Sequence, residues 1–179
     1  VSKHEQRQRV RVTYSYRCGY CGVHETELGS ELEQDHYRPA SRGGSEDLEN
    51  LVYCCSTCNR LKSDFWSDSP ASEKRILHPL RDDVSEHLRE DPTGRLVALT
   101  STGEFHLYRL RLNRPQLIDL RLRRACQRQE RARRQRLLQE VRRLQRDQSR
   151  LIDLSRRAVE GEDDALLRLR EWLDQERKE

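Results

Sequence analysis

At 179 residues the chain has room for one ordinary domain, or for a small domain with an extension. Hydrophobic residues make up 34% and charged residues 37%, with two Phe, no Met and a net charge of +4, which excludes a large unassisted apolar core. No apolar run approaches the ~20 residues of a membrane span and none near the N-terminus resembles a signal peptide, so a soluble, cytoplasmic chain without membrane contact is expected.

Residues 1–13 are polar and basic, show no cap and little periodicity, and read as a lead-in. Tyr14-Ser15-Tyr16-Arg17 then approaches Cys18-Gly19-Tyr20-Cys21-Gly22, whose glycines suit a tight turn around a metal. Glu31 to Tyr37 is expected to form a short strand ended by Arg38-Pro39, and residues 40–49 a loop bending at Gly43-Gly44. Leu51-Val52-Tyr53-Cys54 favours a second strand. Ser56 or Thr57 is placed to cap a helix running through Cys58, Asn59, Leu61 and Lys62 to about Phe65. The order strand, loop, strand, helix predicts a compact ββα unit.

Ser67 to Ser72 reads as a linker, and residues 77–91 show no clear period. Arg95 to Thr100 and Glu104 to Leu110 flank Ser101-Thr102-Gly103, which predicts a β-hairpin turning at the glycine. His78, His87 and His106 read as packing or surface histidines. Asn113-Arg114-Pro115 is a helix-start signal, and good helix formers continue without Gly or Pro to about Ala158. Within that stretch Leu137, Val141, Leu144, Gln148 and Leu151 follow a 4-3-4-3 spacing, a narrow apolar seam barely two heptads long. Gly161 is expected to break the helix, and Asp163 to Lys178 to form a last amphipathic one. Helical hairpin is the reading for this tail.

The charge is segregated along these elements. Residues 1–108 carry 14 basic and 18 acidic side chains, residues 109–157 carry 17 Arg and five acidic residues, and residues 158–179 carry four basic and eight acidic. A basic segment of that density can track a phosphate backbone, with salt-dependent and largely sequence-independent binding. It equally describes a solvated helix face whose Arg stems shield a thin Leu seam.

Two CxxC pairs, Cys18/Cys21 and Cys55/Cys58, stand 33 residues apart. In a reducing compartment this spacing predicts a closed tetrahedral zinc site, structural because four thiolates fill the shell. A redox dithiol would need a βαβ context that is missing here. Cys54 reads as buried filler and Cys126 as a chance small residue.

Between and beside these knuckles run Asp35-His36-x-x-Pro39, Gly43-Gly44, Glu49-Asn50-Leu51-Val52 and Cys55-x-x-Cys58-Asn59-x-x-Lys62. This order and spacing, over roughly residues 18–62, resembles the HNH endonuclease family, with Asn rather than His at the last motif position. The resemblance implies His36 as general base. It implies Asp35 and Asn59 as ligands of one divalent ion, Mg²⁺ or Mn²⁺, and Asn50 as the residue tying the loop to the strand. Arg38, Arg60 and Lys62 are expected phosphate contacts, Lys62 foremost. The fold class implied is α+β: a small ββα-metal (HNH) nuclease core with a four-cysteine zinc site, a β-hairpin and a long C-terminal helical hairpin. The expected division is a nuclease core at 1–66, a linker and hairpin extension at 67–112, and a basic arm ending in an acidic helix at 113–179.

Three functions fit these features. The first is a metal-dependent endonuclease hydrolysing DNA, a duplex foremost, aided by a homodimer or protein partner bound through the C-terminal helices. The second is a zinc-knuckle nucleic-acid-binding protein without catalysis. The third is a nuclease subunit of a multi-protein defence complex.

Overall fold

The computed structural model describes residues 2–69, 71–160 and 163–177. The chain forms two units, Val1–Arg124 and Ala125–Glu179.

In the first unit, the expected lead-in is a helix, α1 (Lys3–Thr13). Ser2 caps it, accepting from the Glu5 backbone N–H while the Glu5 carboxylate takes the Ser2 N–H, a reciprocal box that the sequence contains at the required spacing. Only Val10 of α1 is buried, so apolar packing alone does not hold this helix. Its anchor is polar. Arg11 grips Glu25 through two hydrogen bonds of 2.7 and 2.8 Å, and Glu25 in turn accepts from the Tyr53 hydroxyl. That hydroxyl also accepts the Leu32 N–H at 2.9 Å, so one buried chain of bonds joins α1, the single-turn α2 (Glu25–Leu28) and the sheet.

The sheet has two antiparallel strands, β1 (Glu33–His36) and β2 (Leu51–Cys54), in the register Asp35 opposite Val52 and His36 opposite Leu51. Every residue of β2 is buried, and each large apolar side chain so covered contributes roughly 1.5–3 kcal/mol. Two short 3₁₀ turns, Ala40–Arg42 and Leu48–Asn50, shape the intervening loop. The helix α3 (Ser56–Lys62) follows β2 directly. Its N-cap is Cys55 rather than Ser56 or Thr57, and its N-cap side chain makes no capping bond. The ββα unit is thus present, with a slightly shorter helix than the residue pattern suggested.

The hairpin expected at 95–110 is not the one that forms. Its first strand exists as β4 (Leu96–Ala98), but β4 pairs with β3 (Leu88–Glu90) across a turn at Asp91–Gly94. β3 follows the single-turn helix α4 (Val84–His87). Residues 101–109 are helix α5, capped by the Thr100 hydroxyl on the Gly103 N–H. Gly103, expected at the hairpin turn, instead serves close packing: a Cβ there would lie 2.2 Å from the His87 carbonyl oxygen.

α5 buries His106 at 2% exposure, where its Nδ1 accepts the Leu77 N–H at 3.0 Å. Burial holds this imidazole down at about 4. An unfolded chain takes up a proton on it near pH 6.5 and the native one does not. Between those values stability therefore falls as pH falls. His106→Asn, which keeps an acceptor for Leu77, is expected to flatten the stability-versus-pH slope between pH 6.5 and 5 by about 1.4 kcal/mol per unit at most, read from urea unfolding curves.

α6 (Pro115–Val159) begins at the Pro of the helix-start signal and runs from the first unit into the second. In the second unit Leu154 is buried, and Leu151, Ile152, Val159, Leu169 and Leu173 line a cleft between α6 and α7 (Asp163–Glu176). Leu137, Val141 and Leu144, three of the five expected seam residues, stay about half exposed. Gly161 and Lys178, the expected break and helix end, lie outside the described residues. No described helix is long and apolar enough to cross a membrane.

Candidate functional site

The four thiols of Cys18, Cys21, Cys55 and Cys58 converge, all within 4.8 Å of one another. The turn carrying Cys18 is fixed by the Gly19 N–H on the Tyr53 carbonyl at 2.8 Å, which binds the first knuckle to β2, the strand that ends in the second. Cys21 and Cys55 sulfurs stand 3.8 Å apart. Tetrahedral zinc with Zn–S bonds of about 2.3 Å requires sulfurs ~3.8 Å apart, so the cluster fits that ion. Cys54, next in line, is fully buried beside it, and burial pushes its thiol up. Cys126 is exposed.

A cation that sequence reasoning passed over supports this cluster. Arg114 lies 3.5 Å from the Cys58 sulfur and 3.9 Å from that of Cys55, while its other amino group donates to the Leu110 carbonyl at 3.1 Å. A four-thiolate zinc centre carries two negative charges, so a guanidinium in contact offsets one of them. Arg114 was legible only as part of a helix-start triplet; nothing in its spacing shows that it turns back on the sulfurs.

The motif residues lie where β1 meets α3. Asn59 and Lys62, one turn apart on α3, face Glu33 and Asp35, which alternate onto one side of β1. The Asn59 amide donates to Glu33 at 2.7 Å, leaving its carbonyl oxygen for another partner. Asp35 is 11% exposed, with Lys62 Nζ 3.1 Å from one of its oxygens and the Tyr20 hydroxyl donating to it at 3.1 Å. Burial lifts the Asp35 carboxyl above its usual range, more than Lys62 and Tyr20 draw it down.

Lys62 corrects an expectation. Named as the foremost phosphate contact, it is 1% exposed and its ammonium is spent internally on Asp35, the His36 carbonyl at 2.7 Å and the Ser63 carbonyl at 3.3 Å. Arg38 and Arg60, the other two named, are exposed.

His36 ends β1. Its imidazole Nε2 stands 2.8 Å from a Glu46 carboxylate oxygen on the following loop. A carboxylate only accepts, so in the neutral ring the proton sits on Nε2 and the lone pair on Nδ1. Among the described residues no hydrogen bond joins this ring to Asp35 or Asn59. Neither Glu33 nor Glu46 stood out in the sequence, where both are single acidic residues among several.

Asn50 stitches the loop shut. Its amide oxygen accepts the Arg38 N–H at 2.8 Å, and its amide nitrogen donates to the carbonyls of Arg38 and Ser45 at 3.1 and 2.8 Å. Gly44 fits beneath this stitch, where a Cβ would fall 1.7 Å from the Arg38 carbonyl oxygen. Gly44→Ala is therefore expected to force the loop open and to destabilise the first unit by about 2–3 kcal/mol in denaturant titrations. The histidines read as bland are accounted for by structure: His78 reaches the Glu49 carbonyl at 3.1 Å, and His87 meets the Thr100 hydroxyl at 2.6 Å.

Residues 18–65 match the family model described as HNH endonuclease. Among curated proteins, the Septu protein PtuA of Bacillus mycoides (strain KBAB4) is 26% identical over 137 residues, covering 60% of this chain. The matched part spans 19% of that relative's own length. No solved structure matches the chain. With its strand, loop, strand and helix closed by a four-thiol cluster, the segment from Cys18 to Phe65 matches an HNH endonuclease domain.

Proposed function

We propose that the chain is a metal-dependent endonuclease that hydrolyses DNA phosphodiester bonds, with His36 as general base and with Asp35 and Asn59 holding one divalent ion, Mg²⁺ or Mn²⁺. The observation that carries this reading is the β1–α3 junction, where Asn59 of α3 meets Glu33 of β1 and Lys62 of α3 meets Asp35, the residue before His36. An all-oxygen set with few carboxylates suits a hard cation that keeps several waters. When bound, that ion neutralises charge on the phosphate and the leaving oxygen. His36 takes the proton of the attacking water on Nδ1, the nitrogen that Glu46 leaves with its lone pair. Asn50 sets the loop that presents His36 and Glu46 to each other. Arg38 and Arg60, both exposed, contact phosphates in this reading, and the arginines of α6 hold the nucleic-acid backbone by attraction that weakens with salt.

One observation favours a second reading, a nucleic-acid-binding module without catalysis: Asp35 is already engaged by Lys62 and Tyr20. Supercoiled plasmid incubated with Mg²⁺ or Mn²⁺ separates the two. The wild type is expected to nick it and His36→Ala to leave it intact. Equal nicking by both proteins, or none by the wild type with either metal, decides for the binding module. The match to part of a Septu protein also leaves room for a subunit role, for which activity of the isolated chain is the contrary result.

A further inference from the structure

Beside the end of β1 lies a pocket of about 250 Å³ that the endonuclease reading leaves unused. Tyr37, Phe65, Trp66 and His78 wall it. The Tyr37 ring stands edge-on to Trp66 at 5.5 Å and to His78 at 4.5 Å, and its hydroxyl donates to the Ile76 carbonyl. With His78 tied to the Glu49 carbonyl, this is a held aromatic frame rather than a loose cluster. The Arg38 guanidinium lies over the Trp66 ring at 5.6 Å, so a planar cationic group already stacks there.

We propose that this pocket takes one unpaired nucleobase of the nucleic-acid substrate, beside the phosphate on which His36 acts; the inference rests on the endonuclease reading and names the substrate class for it. Three observations select a base over a phosphate or a duplex. The cations lining the pocket's interior are neutralised, Arg75 by two bonds to Asp82 of 2.6 and 2.9 Å and Lys62 by Asp35, so no free charge waits for an anion inside. Two exposed guanidinium groups stand nearer the solvent, where a flanking phosphate would lie: Arg81, which lines the pocket and pairs with the exposed Glu49 at 3.2 Å, and Arg38 over Trp66. The volume admits a single flat group, and a base inside a duplex shows its faces only to its neighbours, so it must be looped out or single-stranded to enter. Tyr37 follows His36 in the chain and Lys62 joins the pocket to the His36 carbonyl, which sets the bound base next to the reacting strand.

The test uses the full chain carrying His36→Ala and Trp172→Phe, which cannot depend on cleavage and leaves Trp66 as the sole tryptophan. Without added divalent ion, a short single-stranded DNA is expected to quench Trp66 emission saturably, and the fully paired duplex of the same sequence to bind without that quenching. In parallel, Trp66→Ala should weaken single-strand binding about tenfold while Trp66→Phe retains most of it, as expected for stacking of one base. Unchanged Trp66 emission on binding, or equal affinity of wild type and Trp66→Ala, overturns the base site. So does quenching only by an aromatic peptide, which would make the pocket a protein-docking site. Loss of plasmid nicking alone leaves these readouts standing, so the endonuclease reading and the base site fail separately.

Discussion

Stripping zinc from the four-thiol cluster is expected to unfold residues 1–124 as a unit. The apparent free energy of zinc in a structural site is roughly 10–16 kcal/mol near neutral pH, as large as the whole stability of an ordinary domain at about 5–15 kcal/mol. The core offers little to replace it. Cys18, Cys55 and Cys58 are themselves core residues packed with Val23, Tyr53 and Leu117, and the two-stranded sheet is too small to stand alone. Arg114 adds to the loss, because its guanidinium contacts the Cys55 and Cys58 sulfurs and its place is set by the closed cluster. Elemental analysis should find one zinc per chain, and a chelator or Cys58→Ala should remove both the metal and the thermal transition. Cys54→Ala is the control: buried but outside the cluster, it should keep the zinc and lose only packing. A chain free of zinc with an unaltered transition would sink the idea.

Much of the first unit was legible in its sequence because its signals are local. The CxxC pairs and the β-rich run 51–54 are local patterns, and once the four thiols converge the strand, loop, strand and helix between them have little freedom. What stayed hidden is decided by distant partners. α1 has one buried apolar residue, so its pattern was weak, and it is held by an Arg11–Glu25–Tyr53 chain linking three separate elements. Its capping box at Ser2 and Glu5 has no apolar run behind it to mark the start of a helix. Gly103 shows the opposite failure: a glycine read as turn chemistry was answering the approach of a backbone carbonyl sixteen positions earlier. At the candidate site, the resemblance to the HNH family singles out Asp35, His36, Asn50 and Asn59 by their order along the chain. Spacing says nothing of direction, so Glu33, Glu46, Tyr20 and the inward course of Lys62 emerged only with the fold.

Lys62→Met is expected to destabilise the first unit by about 3–5 kcal/mol, the cost of leaving one member of a buried ion pair without its mate. Lys62 is 1% exposed and Asp35 11%, so water cannot replace the lost ammonium at either end. Burial already pushes the Asp35 carboxyl upward, and with Lys62 gone only the Tyr20 hydroxyl remains to support its charge. The His36 and Ser63 carbonyls lose a donor as well, which frees the end of β1 from the end of α3. Part of this loss belongs to the charge pair and part to the carbonyl bonds, and a double-mutant cycle divides them. Asp35→Asn on top of Lys62→Met removes the stranded charge while keeping an acceptor for Tyr20. The pair should therefore recover at least about 1 kcal/mol beyond additivity in urea titrations. Strict additivity would mean that Asp35 and Lys62 do not share one ion pair in solution. Nicking of plasmid should fall in Lys62→Met and should not return in the double variant, because the stability that Asn restores at position 35 comes without the carboxylate proposed to hold the divalent ion.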